Sequence, residues 1–174
     1  MSQFSAIDIK RLWHANVPTE ALTAESLKAM LSAEGTKEIK NVHQDTWTIE
    51  EAEPSQDSYR NQLTGMVYRR GSKTMGEVTF AFTIGRYDFE TKKELMGGTA
   101  TANSWARSKQ PTDIKRCLIA LTEDGVYCVL TYADISAREA NTDGAVGIAV
   151  VGTALEPENE AISSEYWFDA EAVG

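Results

Sequence analysis

The chain has 174 residues, 42% of them hydrophobic, which suits one domain with a sizeable core. It carries 26 acidic against 17 basic residues, a formal net charge of −9. This balance argues against a general polyanion-binding surface, because phosphate binding depends on Lys and Arg. No Pro-, Gly- or Ser-rich stretch and no repeat divides the sequence, so we treat residues 1–174 as a single domain.

The amino-terminal segment predicts a short strand followed by a helix. Its first residues, MSQFSAIDIKRLW, lack the apolar segment of a signal peptide, and no run approaches the roughly 20 apolar residues of a membrane helix. We therefore expect an intracellular protein with no membrane partner. Residues 6–13 begin with strand-like alternation, and Thr23 is a good N-cap for an amphipathic helix that ends before Gly35.

The next region predicts a polar strand pair joined by a long loop. Residues 41–52 place Trp47 and Ile49 on one side, which indicates a half-exposed strand. Residues 53–61 are polar and predict a loop, and strand character resumes over 63–70.

A basic cluster follows that second strand. Arg69, Arg70 and Lys73 surround Gly71, which predicts a basic hairpin turn. Such a turn is either a solvated end or a contact with an acidic surface of another copy.

Residues 77–84 show the cleanest period-2 alternation in the chain, with Phe80 and Phe82 among the inward positions. Asp88 then predicts a helix that runs through Met96 and stops at two glycines. Phe89 and Met96 lie seven residues apart on that helix, so we expect them to cover an open end of the sheet layer.

The central segment, residues 115–155, predicts a hairpin and a third strand. Asp124 and Gly125 favour a tight turn between strands at 115–122 and 126–132. Such a turn places Cys117 opposite Tyr132 and Cys128 opposite Leu121, so the two thiols are expected to be separate, small apolar core groups in a reducing compartment.

The third run, residues 144–152, sets Val146, Ile148 and Val150 against a nearly bare face at Gly147 and Ala149. A bare face suits the tight interior of a sandwich or barrel, or a subunit contact. A last strand is expected over 163–169. The predicted fold class is mainly β with short helices (α+β), an antiparallel β-sandwich or barrel.

The sequence offers few groups for catalysis. His14 and His43 are the two histidines, and neither has metal-ligand spacing with the two cysteines. Nucleophile, P-loop and dinucleotide motifs are missing from the sequence. We predict no catalytic, cofactor-binding or metal-binding residue, and no cofactor. Glu51 and Glu53 leave open an unusual carboxylate enzyme.

The four tryptophans have two interpretations: they fill the rim of the core, or some of them lie at contacts between copies, where Trp is enriched. They are Trp13, Trp47, Trp105 and Trp167.

Three stretches together resemble the tail tube proteins of long-tailed bacteriophages, which are similar to the tube proteins of type VI secretion. The first is the strand pair and its long connection, DTWTIEEAEPSQDSYRNQLTGMVYRR. The second is the apolar strand and short helix ending in two glycines, GEVTFAFTIGRYDFETKKELMGG. The third is the hairpin followed by GAVGIAVVGTALEP. The resemblance extends over about residues 45–168, most of the chain.

The resemblance implies a sheet-based barrel that assembles into rings, expected to be hexameric, which stack into a hollow tube around passing DNA. The partners would be other copies and other tail proteins, with DNA in the lumen not bound specifically. The protein would be made in the bacterial cytoplasm and located in the virion tail. Candidate subunit contacts are Trp47, Glu50, Glu53, Tyr59, Arg69, Arg70 and Lys73. The main alternative is a monomeric β-sandwich or barrel that binds a small ligand or a partner protein.

Overall fold

The computed structural model describes residues 3–174 and confirms the predicted class: it is mainly β, with three short helices and antiparallel strand pairing. The strands are β1 (Ile9–Ala15), β2 (Lys37–Ile39), β3 (Thr48–Glu51), β4 (Ser55–Arg60), β5 (Val67–Thr74), β6 (Val78–Ile84), β7 (Thr99–Thr101), β8 (Ser104–Ala106), β9 (Lys115–Thr122), β10 (Val126–Thr142), β11 (Ala145–Ala154) and β12 (Glu165–Asp169). The helices are α1 (Ala24–Leu31), α2 (Phe89–Met96) and α3 (Ala170–Val173). None of these helices is long and apolar enough to cross a membrane.

The main sheet is built around β10. Its order is β2-β1-β9-β10-β11-β6-β3, and β12 also pairs with β10. Residues 126–130 of β10 lie between β9 and β12, whereas residues 133–142 pair with β11. One strand therefore connects both parts of the sheet.

The β9–β10 hairpin forms where it was predicted, but next to the turn its register is wrong by one residue. Cys128 faces Ala120 rather than Leu121. Beyond an irregularity between Leu130 and Ala133, the pairing of Ala133 with Arg116 has the predicted register. The backbone has positive φ at Gly125 (79°) but not at Asp124, and the Gly125 N–H bonds to the carbonyl oxygen of Thr122 at 3.1 Å. This is the three-residue turn with a glycine bulge, which shifts the pairing by one position relative to a two-residue turn.

β10 extends beyond the predicted strand over 126–132. The prediction ended too early because the second half of β10 carries polar side chains on its exposed side. A two-residue turn joins it to β11, with positive φ at both Asp143 (51°) and Gly144 (85°). That pair of angles defines a turn that follows the natural twist of the strands.

Both faces of the central strands are buried. Leu118 and Ala120 pack into a cluster with Leu12 near one end of the sheet and Phe80 near the other, so the sheet curls around these side chains. On the opposite face, Cys117 and Ile119 pack under α1 and α3. The two thiols thus belong to different clusters, as expected.

The helices begin at the predicted caps. The Thr23 hydroxyl accepts from the Ser26 N–H at 3.2 Å, and the Asp88 carboxylate accepts from the Thr91 N–H at 2.8 Å. The side chain of α2 that enters the core is Leu95, however, and Phe89 is exposed. The prediction that Phe89 covers the sheet layer was wrong. The side of α2 that faces the core is centred on Leu95, one position before Met96.

Two predictions between β3 and β6 were also wrong. The polar stretch expected as a loop over 53–61 contains β4, and Gly71 lies inside β5 rather than in a turn. The turn of this hairpin is at residues 61–66, where the Asn61 N–H bonds to the Met66 carbonyl oxygen at 2.8 Å.

Candidate assembly surface

Residues 55–74 form a two-stranded hairpin that we call the arm. Its strands β4 and β5 pair with each other and with no other described strand. The arm continues the β3–β6 hairpin in register, since the paired residue numbers sum to 129 both at Glu51 with Val78 and at Ser55 with Thr74. Pro54 lies at the interruption and has no N–H to pair. The arm is thus the outer half of one long hairpin.

The arm makes its own local contacts. The Gln56 side-chain amide donates to the Gly71 carbonyl oxygen at 2.6 Å, and Arg60 donates to the Gly65 carbonyl oxygen at 3.0 Å. A Cβ at Gly71 would lie 3.5 Å from the Tyr59 ring, so Tyr59 packs over that glycine. These contacts join the two strands to each other and not to the body of the protein.

Large apolar side chains at the far end of the arm are exposed. Leu63 is 94% exposed, Met66 71% and Tyr68 70%. Of residues 55–74, Gln56, Asn61 and Gly71 are half-buried and all the others are exposed. An isolated two-stranded hairpin is marginally stable in water, and clustered exposed apolar groups mark contact sites. This end of the arm therefore has the character of an interface.

The charge of the arm is opposite to that of the rest of the chain. Residues 55–74 contain four of the 17 basic residues and one of the 26 acidic residues, which gives the arm +3 and the remainder −12. Within residues 3–174, the cations Arg69, Arg70 and Lys73 form no ion pair. The arm is thus a basic segment of a chain whose remainder is acidic.

The structure separates the predicted contact residues into two groups. Four lie together on the arm: Tyr59 faces Arg69, Arg70 faces Ser58, and Lys73 faces Gln56.

The other three lie at or below the base of the arm. Glu50 is on β3 and Glu53 immediately precedes the arm, and both are exposed. Trp47 is half-buried, and its ring packs edge-on against Phe80 with 5.9 Å between centroids. Trp13 is buried in the core, whereas Trp167 is 39% exposed and stacks on Phe4.

One face of β6 and β11 carries small side chains. On this face Gly147 is buried, and the other positions are half-buried or exposed. Ala81, Thr83 and Ala149 are half-buried, and Val151 is 38% exposed. A Cβ at Gly147 would lie 2.7 Å from the Ile84 carbonyl oxygen, so the close approach at this bare position is to a neighbouring strand of the same chain. The face forms a flat surface on the sheet.

A cleft of about 820 Å³ lies between the two ends of the main sheet. We call it the seam cleft. It is lined by residues 6–12 around the start of β1, by residues 39–45, and by residues 47–49 at the start of β3. Its apolar part comes from Ile9, Val42, Trp47 and Ile49, which pack partly against the core.

A buried polar cluster connects β1, β9 and α2. Arg116 lies 2.8 Å from Nδ1 of the fully buried His14 and donates to Asn16 at 2.8 Å. Burial, and then the charges of Arg116 and Lys37, lower the pKa of His14 to about 3, so this histidine is neutral near pH 7. Its Nδ1 therefore accepts from Arg116, and the protonated Nε2 lies 3.4 Å from a carboxylate oxygen of Glu94 without the angle of a hydrogen bond.

This cluster has the features of a structural contact, and the thiol beside it is not set up as a nucleophile. The neighbouring thiol, Cys117, is fully buried, and burial raises its pKa to about 12. Nε2 of His14 and Nε of Arg116 have no hydrogen-bond partner of good geometry, which marks the cluster as tightly enclosed. Sequence reasoning missed it, because His14, Glu94 and Arg116 are far apart in the chain and no spacing connects them.

Elsewhere the structure offers no grouping for a metal: within residues 3–174, no three His, Cys, Asp or Glu side chains come together in a way that could hold an ion. His43 instead contacts Asp143 across the body of the protein, with Nε2 and Oδ2 2.7 Å apart. Comparison with known proteins finds no matching family model and no matching curated protein.

Proposed function

We propose that this chain is a structural subunit of a phage or phage-like tail tube, which assembles with copies of itself into stacked rings, six subunits to a ring, around a lumen that conducts DNA. The sequence resemblance suggests this function, and the arm is the structural observation that supports it most. Activity in this proposal means assembly, and no side chain acts as a catalyst.

The arm supports assembly for three reasons. Within residues 3–174, its strands pair with no strand of the body, and it joins the body at the base of one long hairpin. It exposes large apolar side chains to solvent, and this exposure does not stabilise a solitary monomer. Its charge of +3 faces a remainder of −12, so copies attract each other when the arm of one meets the body of the next.

Such a contact joins different parts of two copies, so it is head-to-tail whenever the copy that receives an arm passes its own arm to a third copy. Head-to-tail contacts close into rings or extend as filaments, whereas self-complementary contacts stop at a dimer. The arm therefore favours a ring or a stack over a simple dimer.

Light scattering and negative-stain electron microscopy at increasing protein concentration test the proposal. We expect rings or short tubes from the full chain. A variant in which residues 55–74 are replaced by a two-residue Asn-Gly turn should remain folded but monomeric. The replacement is geometrically reasonable because the Ala52 N–H bonds to the Glu77 carbonyl oxygen at 2.9 Å, which keeps the two strands together below the arm.

A strictly monomeric full chain at millimolar concentration would overturn the proposal. The seam cleft would then favour the second candidate, a monomeric binding module, because its volume of about 820 Å³ is within the usual range of small-ligand sites.

A further inference from the structure

The seam cleft lies between two unpaired strand edges. β3 pairs with β6 on one side and with no described strand on the other. On the other wall, β2 pairs with β1 at residues 12–14, so residues 9–11 of β1 extend beyond it without a partner on that edge. Free edges of this kind are templates for an added strand.

The lining of the cleft suits an apolar strand. Ile9, Val42 and Ile49 contribute partly buried aliphatic groups from three different segments. Trp47 also lines the cleft, and its indole Nε1 is buried without a hydrogen-bond partner. Such a buried donor is normally satisfied. The cleft therefore has the features of a site that is incomplete in the single chain.

The charges near the seam cleft indicate whether an added strand should be basic or acidic. Arg11 and Lys40 are paired with Glu38, and His43 with Asp143. Because Arg11 and Lys40 share the one carboxylate of Glu38, the charges of the cleft and its rim are three cations, with Lys10, against five carboxylates, a balance of −2. The other four carboxylates are Asp8, Asp45, Glu50 and Glu51. A basic strand is favoured over an acidic one.

We propose that the seam cleft receives the far end of the arm of a second copy, with β5 adding to the free strand edge. The exposed apolar groups of the arm, among them Met66 and Val67, would enter the apolar lining, and Arg69 and Arg70 would approach the carboxylates at its rim. The arm cannot make this contact in its own chain with β5 extended as it is: Arg69 is five residues from the arm's base, about 16 Å at the rise of a strand.

This inference rests on the proposed function and specifies which surface of the neighbour receives the arm. Cysteine cross-linking between two single variants tests it. Val67→Cys places a thiol on the arm, and Lys10→Cys places one on the free edge of β1; both side chains are exposed, so neither change disturbs the core. Mixing separate variants ensures that any bond between positions 10 and 67 joins two copies.

Under mild oxidation, we expect the disulfide-linked peptide pair 10–67 to exceed, by at least ten-fold, the pair 67–158 formed with a Glu158→Cys control. Glu158 is exposed and does not line the cleft. The native thiols do not compete, because Cys117 and Cys128 are fully buried.

The result separates the two proposals. Oligomers in light scattering with equal yields of the two pairs would overturn the seam contact and leave the tail-tube proposal standing. Monomers at every concentration would overturn both.

Discussion

Tyr59 and Arg69 face each other across the two strands of the arm, and both side chains are exposed. A cross-strand pair of this kind stabilises the hairpin modestly, by about 0.2–1 kcal/mol, which is too little to account for a projecting arm in isolation. Arg69 and the neighbouring Arg70 have no ion-pair partner in residues 3–174, and under the proposed function they contact another copy.

Reversing the arm's charge should therefore weaken assembly. We expect Arg69→Glu with Arg70→Glu to raise the concentration needed for assembly at least ten-fold, because the arm then repels the acidic body of its neighbour. The matched control is Arg86→Glu with Lys109→Glu, which makes the same charge change at exposed positions away from the arm. Light scattering at low and high salt is the measurement. Equal effects of the two double variants would show that total charge, not the arm, governs assembly.

A second prediction concerns packing between β9 and β11. A Cβ added at Gly152 would lie 2.4 Å from Cδ1 of the buried Leu118 and 3.2 Å from Cβ of Ala133. We expect Gly152→Ala to lower the free energy of unfolding by about 1–3 kcal/mol, the usual cost of overpacking a core. Gly71→Ala is the control, since its nearest neighbour would be 3.5 Å away. Urea unfolding followed by circular dichroism gives both values, and equal losses would contradict the packing argument.

The lowered pKa of His14 predicts that the protein becomes less stable as the pH falls. Its pKa is near 6.5 in the unfolded chain and about 3 in the fold, so the unfolded state binds a proton first and the loss begins as pH drops through 6.5. Between pH 7 and pH 5.5 we expect this group alone to reduce the free energy of unfolding by about 1 kcal/mol. Burial raises the pKa of Glu94 in the fold, so its contribution has the opposite sign to that of His14.

The comparison of variants isolates that effect. His14→Gln removes the titrating group and should flatten the dependence of unfolding free energy on pH between pH 7 and pH 5.5. Denaturant titrations at the two pH values provide the test. An unchanged slope in His14→Gln would show that His14 binds protons equally in the folded and unfolded states, so that the fold does not lower its pKa.

The thiols should be unreactive in the native protein. Burial raises the pKa of both Cys117 and Cys128, and neither is accessible to reagent. We expect a thiol reagent such as Ellman's to label neither cysteine within minutes at pH 8 and to label both in 6 M guanidinium. Rapid labelling of either cysteine in the native protein would mean that its sheet cluster opens readily.

Local signals in the sequence predicted much of the fold. The caps at Thr23 and Asp88 and the alternation over β6 each depend on neighbouring residues, so they can be read without knowing the tertiary structure. The register of the β9–β10 hairpin was wrong next to the turn, because the conformation of one residue, Gly125, determines whether the turn has two residues or three.

The arm was harder to predict, because a strand exposed on both faces has no apolar alternation. β4 consists of polar residues apart from Tyr59, and its pairing with β5 leaves no hydrophobic pattern to detect. The buried cluster of His14, Glu94 and Arg116 could not be predicted for a different reason: its members come from three elements that only the folded sheet brings together.

The central position of β10 has a consequence for how the molecule opens. Residues 126–130 have strands on both edges and packed side chains on both faces, so no partial opening of one neighbour exposes them. Their amide protons should exchange with solvent deuterium last of all, at a rate set by complete unfolding, while amides of the arm exchange within seconds in the monomer. Incorporation into a larger particle would slow the exchange of the arm amides and leave the exchange of residues 126–130 unchanged.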